Sequence, residues 1–460
     1  MSSSERPARY HFVGVAGSGM SALAEFHARR GDRVSGSDRA LDRGERRKIR
    51  RALLAAGVTI VPQDGGGVPP DADAVVVSTA VEADIPDLHR ARELDLPVWH
   101  RSELLARDVA AHRTLAVTGT SGKSTTTAML FTILAHAGRA PSLITGGPLA
   151  ALREKGGTGS AWAGAGEWLV IEADESDGSL VRYAPWGSVV LNLQRDHREP
   201  DAVARDLARF LARTTGPRLV GDDPALDPLA SGAERFGRRP GSRWRPRDVA
   251  LRPDGATFTL DGVPFTLPVP GEHNVLDAVA AAALAAAAGV ALPAAAAALA
   301  GFRGVARRFQ VLGAAGGVTV VDDFAHNPDK IRAALATART LAGDGRVVAV
   351  FQPHGFGPTR FLRDDLVAAF REALRPGDVL RLLPIYYAGG TVTRDIASED
   401  LAAPLAAAGG DAAVVTRDAL PAAAAALARP GDVVLVMGAR DPSLTDLARA
   451  VLAALAGERR

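Results

Sequence analysis

The sequence predicts an α/β protein of three domains, each built on a sheet of mainly parallel strands. Short Val-rich runs alternate with helical stretches along the whole chain, as in Tyr10–Val15, Leu115–Thr118 and Val433–Met437. Buried strands that alternate with helices are typical of parallel sheets. The alternation restarts at Thr114 and again near Val318. The length of 460 residues also exceeds what one hydrophobic core supports.

These restarts place the domain boundaries. We expect domains at residues 1–108, 109–304 and 305–460, with the first and third Rossmann-like. Two neighbouring strand-like runs, Ala256–Leu260 and Val263–Leu267, predict an antiparallel patch inside the second domain.

Composition excludes several classes of protein. The chain has 54 basic and 52 acidic residues and no run of more than three consecutive like charges, so nucleic acid is not an expected partner. It has no cysteine, which excludes disulfides, thiolate metal sites and cysteine nucleophiles. The apolar stretch Ala278–Ala300 is broken by Gly289 and Pro293, and Met1–Arg9 lacks a signal-peptide core. We expect a cytoplasmic enzyme without membrane insertion.

Lysine is scarce in this chain. Only four of the 54 basic residues are lysines, namely Lys48, Lys123, Lys155 and Lys330. Where such an Arg-rich chain keeps a lysine, we expect a specific need for its compact ammonium group.

The strongest motif is the Gly-rich stretch Val117–Thr126, which follows a strand and opens a helix. Glycines let backbone N–H groups approach phosphate, and the helix N-terminus adds a positive dipole. Lys123 is expected to reach the terminal phosphates and Ser124 to bind Mg²⁺, which makes the central domain P-loop ATPase-like. Val117 stands where a P-loop usually begins with glycine, so a Gly-rich turn with a solvated lysine is the competing interpretation. The residues expected to contact ATP here are Gly119, Thr120, Ser121, Gly122, Lys123, Ser124 and Thr125.

Acidic side chains follow two predicted strands. The segment Glu172–Asp177 follows Trp168–Ile171, and the pair Asp196–His197 follows the next strand. Because the carboxyl ends of parallel strands meet at one edge of a sheet, these groups are expected at a ligand crevice. Mg²⁺ accepts carboxylate oxygens and occasionally an imidazole. A solvated acidic turn with a helix-capping aspartate is the alternative.

A second Gly-rich loop lies near the N-terminus. Its glycines, Gly14, Gly17 and Gly19, have the spacing G-x-x-G-x-G, and Ser37-Asp38 follows a second strand. The loop predicts diphosphate binding at a helix N-terminus, and Asp38 lies where an acid meets a ribose or base edge. NAD is the competing ligand, although its usual motif is G-x-G-x-x-G.

Taken together and in this order, the motifs resemble the Mur ligase family over nearly the whole chain. The matching stretches are Gly14–Ser21, Gly36–Asp38, Gly119–Thr126, Glu172–Asp177, Asn192, Asp196–His197, His273–Asn274, Arg307–Phe309, Asp323–Pro328 and Phe351–His354. The resemblance implies an N-terminal domain for a UDP-sugar nucleotide, a central ATP domain and a C-terminal domain for an amino acid. It also implies Mg²⁺ and an ADP-forming amide ligation through an acyl phosphate, in peptidoglycan precursor synthesis.

The resemblance further implies roles for individual residues. Those expected to be catalytic are Lys123, Glu172, His197, Arg308, His354 and Arg360. Those expected to hold Mg²⁺ are Ser124, Glu172 and His197. Outside the phosphate loop, those expected to contact ATP are Asn274, Arg308, Asp323 and His326. Those expected to contact the UDP-sugar are Gly17, Ser18, Gly19, Met20, Ser37, Asp38, Ser78 and Thr79.

Within the family, the motifs resemble most the member that joins L-alanine to UDP-N-acetylmuramate. Ser121 and Ser124 replace the His and Thr usual in its phosphate loop, and Gly355 stands where an arginine is common. A paralogue or a murein-peptide-recycling ligase with another amine donor therefore stays open, as does the oligomeric state.

Several ligases of the family resemble one another in using a carbamoylated lysine to bridge a catalytic Mg²⁺. Here no lysine lies between Lys155 and Lys330. The basic residues in the helical stretch shortly after His197 are the arginines Arg205, Arg209 and Arg213. Arginine stays protonated and cannot form the carbamate by the same chemistry. The sequence therefore resembles the branch of the family without this modification. The resemblance implies that Ser124 and Glu172 bind one Mg²⁺ and that Glu172, His197, water and substrate oxygens bind a second.

Two other classes compete. An NAD-dependent oxidoreductase would explain the Gly14–Gly19 loop but not Lys123, Glu172 or His197. A regulatory P-loop protein without ligase chemistry would leave the third domain unexplained.

Overall fold

The computed structural model describes residues 6–196, 198–387 and 393–457, so that His197 lies outside the described residues. The chain forms two compact units. The first comprises Met1–Leu193, Asp201–Arg245 and Asp277–Val305, and the second comprises Gln194–Pro200, Pro246–Leu276 and Ala306–Arg460. The predicted boundary at 304/305 lies one residue from a division between the units, whereas the predicted boundary at 108/109 lies inside the first unit.

The N-terminal part of the first unit is a five-stranded parallel sheet of order β3-β2-β1-β4-β5. Its elements are β1 (Arg9–Val13), α1 (Ser18–Arg30), β2 (Arg33–Ser37), α2 (Arg39–Asp42), α3 (Arg47–Ala55), β3 (Thr59–Ile60), β4 (Ala74–Val77), α4 (Pro86–Glu93), β5 (Val98–His100) and α5 (Arg101–Ala111). The carboxyl ends of β1, β2 and β4 therefore meet at one edge of the sheet. The predicted boundary at 108/109 falls within α5.

The next sheet has seven strands in the order β12-β11-β10-β6-β9-β7-β8. Its elements are β6 (Arg113–Thr118), α6 (Lys123–His136), β7 (Ser142–Ile144), α7 (Ala150–Arg153), β8 (Ala161–Trp162), β9 (Trp168–Glu172), β10 (Gly187–Val190), α8 (Pro200–Arg213), β11 (Arg218–Gly221) and β12 (Glu234–Phe236). Only β8 pairs antiparallel among these described strands. Strand β6 lies between β10 and β9, so the groups that follow all three strands meet beside the start of α6.

The two sheets of the first unit share a hydrophobic core. Phe12 and Phe26 from the first sheet region and Leu169, Tyr183 and Phe210 from the second belong to one buried cluster. The burial of large apolar side chains is the main favourable term in folding, so this shared core holds the two sheets in one unit.

The antiparallel patch is present but belongs to the second unit. Strands β13 (Arg247–Arg252), β14 (Gly255–Leu260) and β15 (Val263–Leu267) form a three-stranded antiparallel sheet. The Ala-rich stretch that follows forms α9 (Glu272–Ala287) and α10 (Leu292–Ala300), with Gly289 between the two helices as predicted, whereas Pro293 lies in the first turn of α10 and does not break it. Among the described residues, no helix is long and apolar enough to span a membrane.

The last sheet has six strands in the order β16-β17-β21-β18-β19-β20. Its elements are β16 (Gln310–Ala315), β17 (Val318–Asp323), α11 (Pro328–Ala342), β18 (Val347–Gln352), α12 (Phe356–Phe361), α13 (Arg363–Ala373), β19 (Val379–Leu382), α14 (Glu399–Ala407), β20 (Asp411–Val414), α15 (Leu420–Leu427), β21 (Val433–Gly438) and α16 (Leu444–Leu455). Edge strand β16 pairs antiparallel with β17, and the other pairs are parallel. The predicted α/β class is confirmed.

Candidate functional site

The Gly-rich loop between β6 and α6 requires glycine at two positions. Gly119 has φ +125° and Gly122 has φ +85°, in the region that L side chains rarely adopt. A Cβ on Gly119 would lie 3.0 Å from the backbone nitrogen of Asn192, and one on Gly122 would lie 2.4 Å from Oδ1 of Asp277. The loop therefore packs tightly against its neighbours and leads directly into α6, whose N-cap is Gly122.

Asn192, beyond the end of β10, holds this loop in place. Its Oδ1 accepts hydrogen bonds from Thr120 Oγ1 (2.9 Å) and from the backbone N–H of Ser121 (2.8 Å). Its Nδ2 donates to the carbonyl of Ser121 at 3.1 Å. One side chain thus fixes two predicted ATP-contacting residues from the neighbouring strand.

Lys123, the first residue of α6, forms a buried ion pair with Glu175. Its Nζ donates to Glu175 Oε2 at 2.6 Å and to the carbonyl of Gly119 at 2.7 Å, and the two side chains are 14% and 4% exposed. Burial opposes the charge of the lysine, but the carboxylates of Glu175, Asp174 and Glu172 outweigh it and raise the pKa of Lys123. Burial raises the pKa of Glu175 as well, despite the lysine beside it. The loop therefore holds a fixed positive charge where phosphates are expected.

Glu172, the last residue of β9, faces the same loop. Its Oε1 accepts from Ser124 Oγ at 3.1 Å, and its Oε2 accepts from Thr145 Oγ1 at 2.8 Å and from the N–H of Gly146 at 2.7 Å. Two of the three residues predicted to hold Mg²⁺ are thus in contact, and both offer the oxygen ligands that Mg²⁺ prefers. Among the described residues, no group of three His, Cys, Asp or Glu side chains could hold a metal. Thr145 was not predicted.

The N-terminal Gly-rich loop leads into α1. Gly17 is the N-cap of α1, and Ser18, Gly19 and Met20 form its first turn. Within the described chain no side chain caps this helix, and its first turn has no acidic residue. The backbone N–H groups and the dipole of α1 therefore favour an anion at this end.

The other predicted UDP-sugar contacts lie at the same sheet edge. Asp38 accepts from the N–H of Ala16 (3.0 Å) and from the N–H of Ala40 (2.8 Å), so its carboxylate holds the Gly-rich loop and caps α2. Ser37 donates to the buried Asp87 at 2.6 Å. Ser78 and Thr79 follow β4 in the segment that approaches Gly14.

Two arginines that sequence reasoning missed flank this loop. Arg46 donates to the carbonyl of Ala16 at 3.0 Å. Arg101 lies so close to α1 that a Cβ on Gly19 would be 3.0 Å from its Nη1. In a chain with 54 basic residues, nearly all of them arginine, the sequence carries no signal that singles out these two.

In the second unit, His326 and His354 lie side by side in the wall of one small cleft. Their ring centroids are 5.1 Å apart. The residues that line the cleft are Asp196, His326, Phe351, Pro353, His354, Pro358, Thr359, Leu362 and Leu366. The cleft thus combines a carboxylate and two imidazoles with an apolar wall.

Asp196 is held by the first turn of α11. Its Oδ2 accepts from Lys330 Nζ and from Asn327 Nδ2, both at 2.8 Å, and its Oδ1 lies 3.5 Å from His326 Nε2. Burial and the neighbouring Lys330 lower the pKa of His326 to about 4, so this imidazole is neutral near pH 7. Lys330 was not predicted as a site residue.

The remaining predicted residues of the second unit are engaged locally. Asp323 accepts from the N–H groups of Phe309 (2.5 Å) and Ala325 (2.6 Å), and burial raises its pKa. The guanidinium carbon of Arg308 lies 4.7 Å from the ring centroid of Phe324. These contacts hold Arg308 and Asp323 beside the Phe324–Ala325 segment that leads to His326.

Asn274 and Arg360 lie elsewhere in the second unit. Asn274 donates to the carbonyl of Pro270 at 2.6 Å. Arg360 donates to the carbonyl of Thr393 at 3.1 Å and pairs with Asp395. Neither contact joins these two side chains to the His326–His354 cleft.

Family models match both ends of the chain. A model described as "Mur ligase family, catalytic domain" matches residues 9–113, and one described as "Mur ligase, glutamate ligase domain" matches residues 307–440.

Known proteins match nearly the full length. The UDP-N-acetylmuramate–L-alanine ligase of Paenarthrobacter aurescens is 38% identical over 94% of this chain and 94% of its own length, and that of Streptomyces coelicolor is 38% identical over 96% and 97%. The crystal structure of the UDP-N-acetylmuramate-alanine ligase MurC from Thermotoga maritima superposes with a TM-score of 0.79 at 26% identity, covering 98% of this chain and 100% of that one. A murein peptide ligase from Psychrobacter arcticus shares the fold, with a TM-score of 0.69 at 24% identity over 98% of this chain and 99% of that one.

With the phosphate loop and its buried lysine, these matches define an ATP-dependent, ADP-forming ligase. The chain belongs to the Mur ligase family. The family and the enzyme class predicted from the sequence are confirmed.

Proposed function

We propose that this chain is the cytoplasmic ligase that joins L-alanine to the carboxylate of UDP-N-acetylmuramate, a step of peptidoglycan precursor synthesis. The main support is the 38% identity, over 94% of both chains, to a relative that bears this name. The charged Lys123 in the phosphate loop and the uncapped N-terminus of α1 supply sites for ATP and for a diphosphate.

The first chemical step would activate the sugar's carboxylate. A carboxylate oxygen attacks the γ-phosphorus of ATP, and the bond from this phosphorus to the β,γ-bridging oxygen breaks. ADP is the leaving group, and the sugar's carboxylate becomes an acyl phosphate. Lys123 would stabilise the negative charge on the transferring group, while the N–H groups of the Gly119–Gly122 loop orient the phosphates. A fixed positive charge acts strongly here because the lysine is largely shielded from water.

Mg²⁺ would be held by Glu172 and Ser124, which are in contact, and by His197, which the sequence predicts as a further ligand. When bound, the cation would neutralise phosphate charge. Thr145 and the N–H of Gly146 orient the Glu172 carboxylate for this role.

The second step would form the amide. The amine nitrogen attacks the acyl carbon, the nitrogen loses a proton, and inorganic phosphate leaves from the tetrahedral intermediate. The second unit carries the groups proposed to meet the substrates: His354, the apolar wall of its cleft, and Arg360. We further propose that Arg308, Asp323, Asn274 and the neutral His326 contact ATP.

The test is substrate-dependent release of ADP by the purified full chain. We expect release with ATP, Mg²⁺, UDP-N-acetylmuramate and L-alanine together, and little when any one is left out. Glycine, L-serine and a murein tripeptide serve as competing amine donors. A tripeptide preferred over L-alanine would assign the chain to peptide recycling instead, and no release with any donor would refute ligase activity.

A further inference from the structure

A fully buried carboxylate, that of Glu25, lies in the middle of α1. Its side chain is 0% exposed, and its Oε1 accepts from Arg29 Nε at 2.7 Å, one turn further along the helix. A buried carboxylate is costly unless its oxygens are hydrogen-bonded, so the second oxygen needs partners as well. The helix does not supply them.

The partners of the second oxygen come from the loop between α7 and β8, in the second sheet region. Glu25 Oε2 accepts from the backbone N–H of Thr158 at 2.9 Å and also from Thr158 Oγ1. The fit is close, because a Cβ on Gly157 would lie 2.3 Å from Glu25 Oε1. Beside it, the guanidinium carbon of Arg29 lies 5.4 Å from the ring centroid of Trp162 in β8. Glu25 thus fastens this loop to α1.

The fastened loop is hydrogen-bonded in turn to the segment that follows β7. The N–H of Thr145 donates to the carbonyl of Ser160 at 2.9 Å, and the N–H of Leu149 donates to the carbonyl of Gly159 at 2.8 Å. Thr158 Oγ1, which donates to Glu25, accepts from the N–H of Ser160 at 3.2 Å. The position of Thr145 is therefore tied to the contact between Thr158 and Glu25.

The segment after β7 lies against both described residues proposed to hold Mg²⁺. Thr145 Oγ1 and the N–H of Gly146 donate to Glu172 Oε2 at 2.8 and 2.7 Å. A Cβ on Gly147 would lie 2.7 Å from Cβ of Ser124, so the segment also packs tightly on this second side chain. A shift of the segment would turn the Glu172 carboxylate and alter the space beside Ser124.

We propose that Glu25 is a positioning residue for the metal site. By holding the loop between α7 and β8 on α1, it fixes Thr145 and Gly146 and, through them, the orientation of the Glu172 carboxylate. The inference rests on the proposed function, in which Glu172 and Ser124 hold Mg²⁺. Groups that orient a metal ligand directly change metal affinity roughly 10–100-fold, and a residue one step further away is expected to have a smaller effect.

The test is calorimetry on the full chain with the non-hydrolysable ATP analogue AMP-PNP, with and without Mg²⁺. The gain in AMP-PNP affinity on addition of Mg²⁺ reports on the metal site and needs no catalysis. We expect Glu25→Gln to reduce this gain about 5-fold, because an amide cannot accept from Arg29 and Thr158 as a carboxylate does. UDP affinity should change less than about 2-fold, since the start of α1 stays intact.

Thr158→Val approaches the same contact from the other side. Valine has the shape of threonine but lacks the hydroxyl that bonds both Glu25 and the N–H of Ser160. This variant should reduce the Mg²⁺ effect as well, and the double variant should lose little more, because both changes remove one contact. If Glu25→Gln does not fold, Thr158→Val decides the question.

Asp108→Asn is the matched control. Asp108 is also buried and bound to α1, through His27 and Arg30, but it ties the helix to α5 instead. We expect this variant to lose stability and to keep the full Mg²⁺ effect.

The outcomes separate the two proposals. If Mg²⁺ does not change the AMP-PNP affinity of the wild type, the proposed function fails together with this inference. If the wild type shows the effect and Glu25→Gln and Thr158→Val show it undiminished, or if Asp108→Asn loses as much of it as they do, only this inference fails.

Discussion

The ammonium group of Lys330 lies 2.8 Å from Oδ2 of Asp196, a residue 134 positions earlier in the chain. Their side chains are 16% and 5% exposed, and Asn327 donates to the same oxygen. Lys123 and Lys330, two of only four lysines, are thus both buried in pairs with carboxylates. The other two are exposed, and Lys155 stacks on Trp162.

We predict that Lys330→Met destabilises the protein. Breaking a buried pair leaves the Asp196 carboxylate inside the protein without its cation, which costs about 3 kcal/mol. The measurement is urea unfolding followed by circular dichroism. The double variant Asp196→Asn/Lys330→Met removes both charges and should recover part of the loss, whereas simple addition of the two single effects would argue against the pair.

Lys123→Ala is expected to lower the rate of ADP release at least 100-fold, because the transferring phosphoryl group loses a fixed positive charge. The protein should remain folded, with its circular dichroism spectrum unchanged. Lys123→Arg keeps the charge and tests whether the compact ammonium is needed. Near-normal ADP release by the alanine variant would remove Lys123 from the mechanism.

Glu172→Ala should lower kcat and raise the Mg²⁺ concentration needed for half-maximal activity, because Glu172 contacts Ser124 and two further donors, Thr145 Oγ1 and the N–H of Gly146, hold its carboxylate in place. Glu175→Ala should be milder, since Glu175 pairs with Lys123 instead. His197→Ala, predicted from the sequence alone, should resemble Glu172→Ala. A larger loss at Glu175 than at Glu172 would show that the metal assignment is wrong.

The surroundings of the buried His27 lead us to predict that the free energy of unfolding depends on pH. Its Nδ1 lies 2.7 Å from Asp32 and its Nε2 lies 3.1 Å from Asp108, which also pairs with Arg30. Burial acts to lower the pKa of His27, but the two carboxylates outweigh it, and the pKa is raised. The protonated ring therefore stabilises the folded state fully below about pH 6.5, the ordinary value, and this stabilisation is lost as the pH rises through the folded-state pKa.

The check compares the unfolding free energy of the wild type and His27→Gln between pH 5.5 and 8.5. The difference should be largest at the acid end and shrink towards alkaline pH. A difference that stays constant, or grows with pH, would mean that the ring is neutral in the folded protein.

Much of the fold follows from local sequence, because Val-rich runs such as Leu115–Thr118 and Val433–Met437 form buried parallel strands where they were expected. Strand β16 was missed, since its Gly313-Ala-Ala315 sequence carries no strand signal and its pairing depends on neighbouring β17. The antiparallel patch was found, but its membership of the second unit depends on tertiary packing, which periodicity does not report.

The phosphate loop was readable because strand, glycines, lysine and helix are contiguous in sequence. Contacts between distant segments could not be predicted from the sequence. Arg101 binds Asp177, which lies 76 residues later in the chain, and Lys330 binds Asp196, which lies 134 residues earlier. Asn192 was noted only through the family resemblance, although it supports the loop directly. Pairing over such separations is fixed by the topology of the sheets and has no local signature.

The last prediction is that activity does not depend on CO₂. A carbamate forms when a neutral lysine amine adds CO₂, and ligases of the family that use one place it shortly after the Asp-His pair, where this chain has no lysine. Lys123 is no substitute, because the carboxylates around it raise its pKa and keep its amine protonated.

Enzyme assayed in CO₂-depleted buffer, and again after addition of bicarbonate, should therefore release ADP at the same rate. A relative that carries the lysine provides the positive control for depletion. Reproducible rescue by bicarbonate would mean that Lys330, the remaining buried lysine, is released from Asp196 and carbamoylated, and Lys330→Arg should then abolish the rescue. The expected absence of rescue agrees with a metal site built from Glu172, Ser124, His197 and water, which suits a cation that keeps several of its waters.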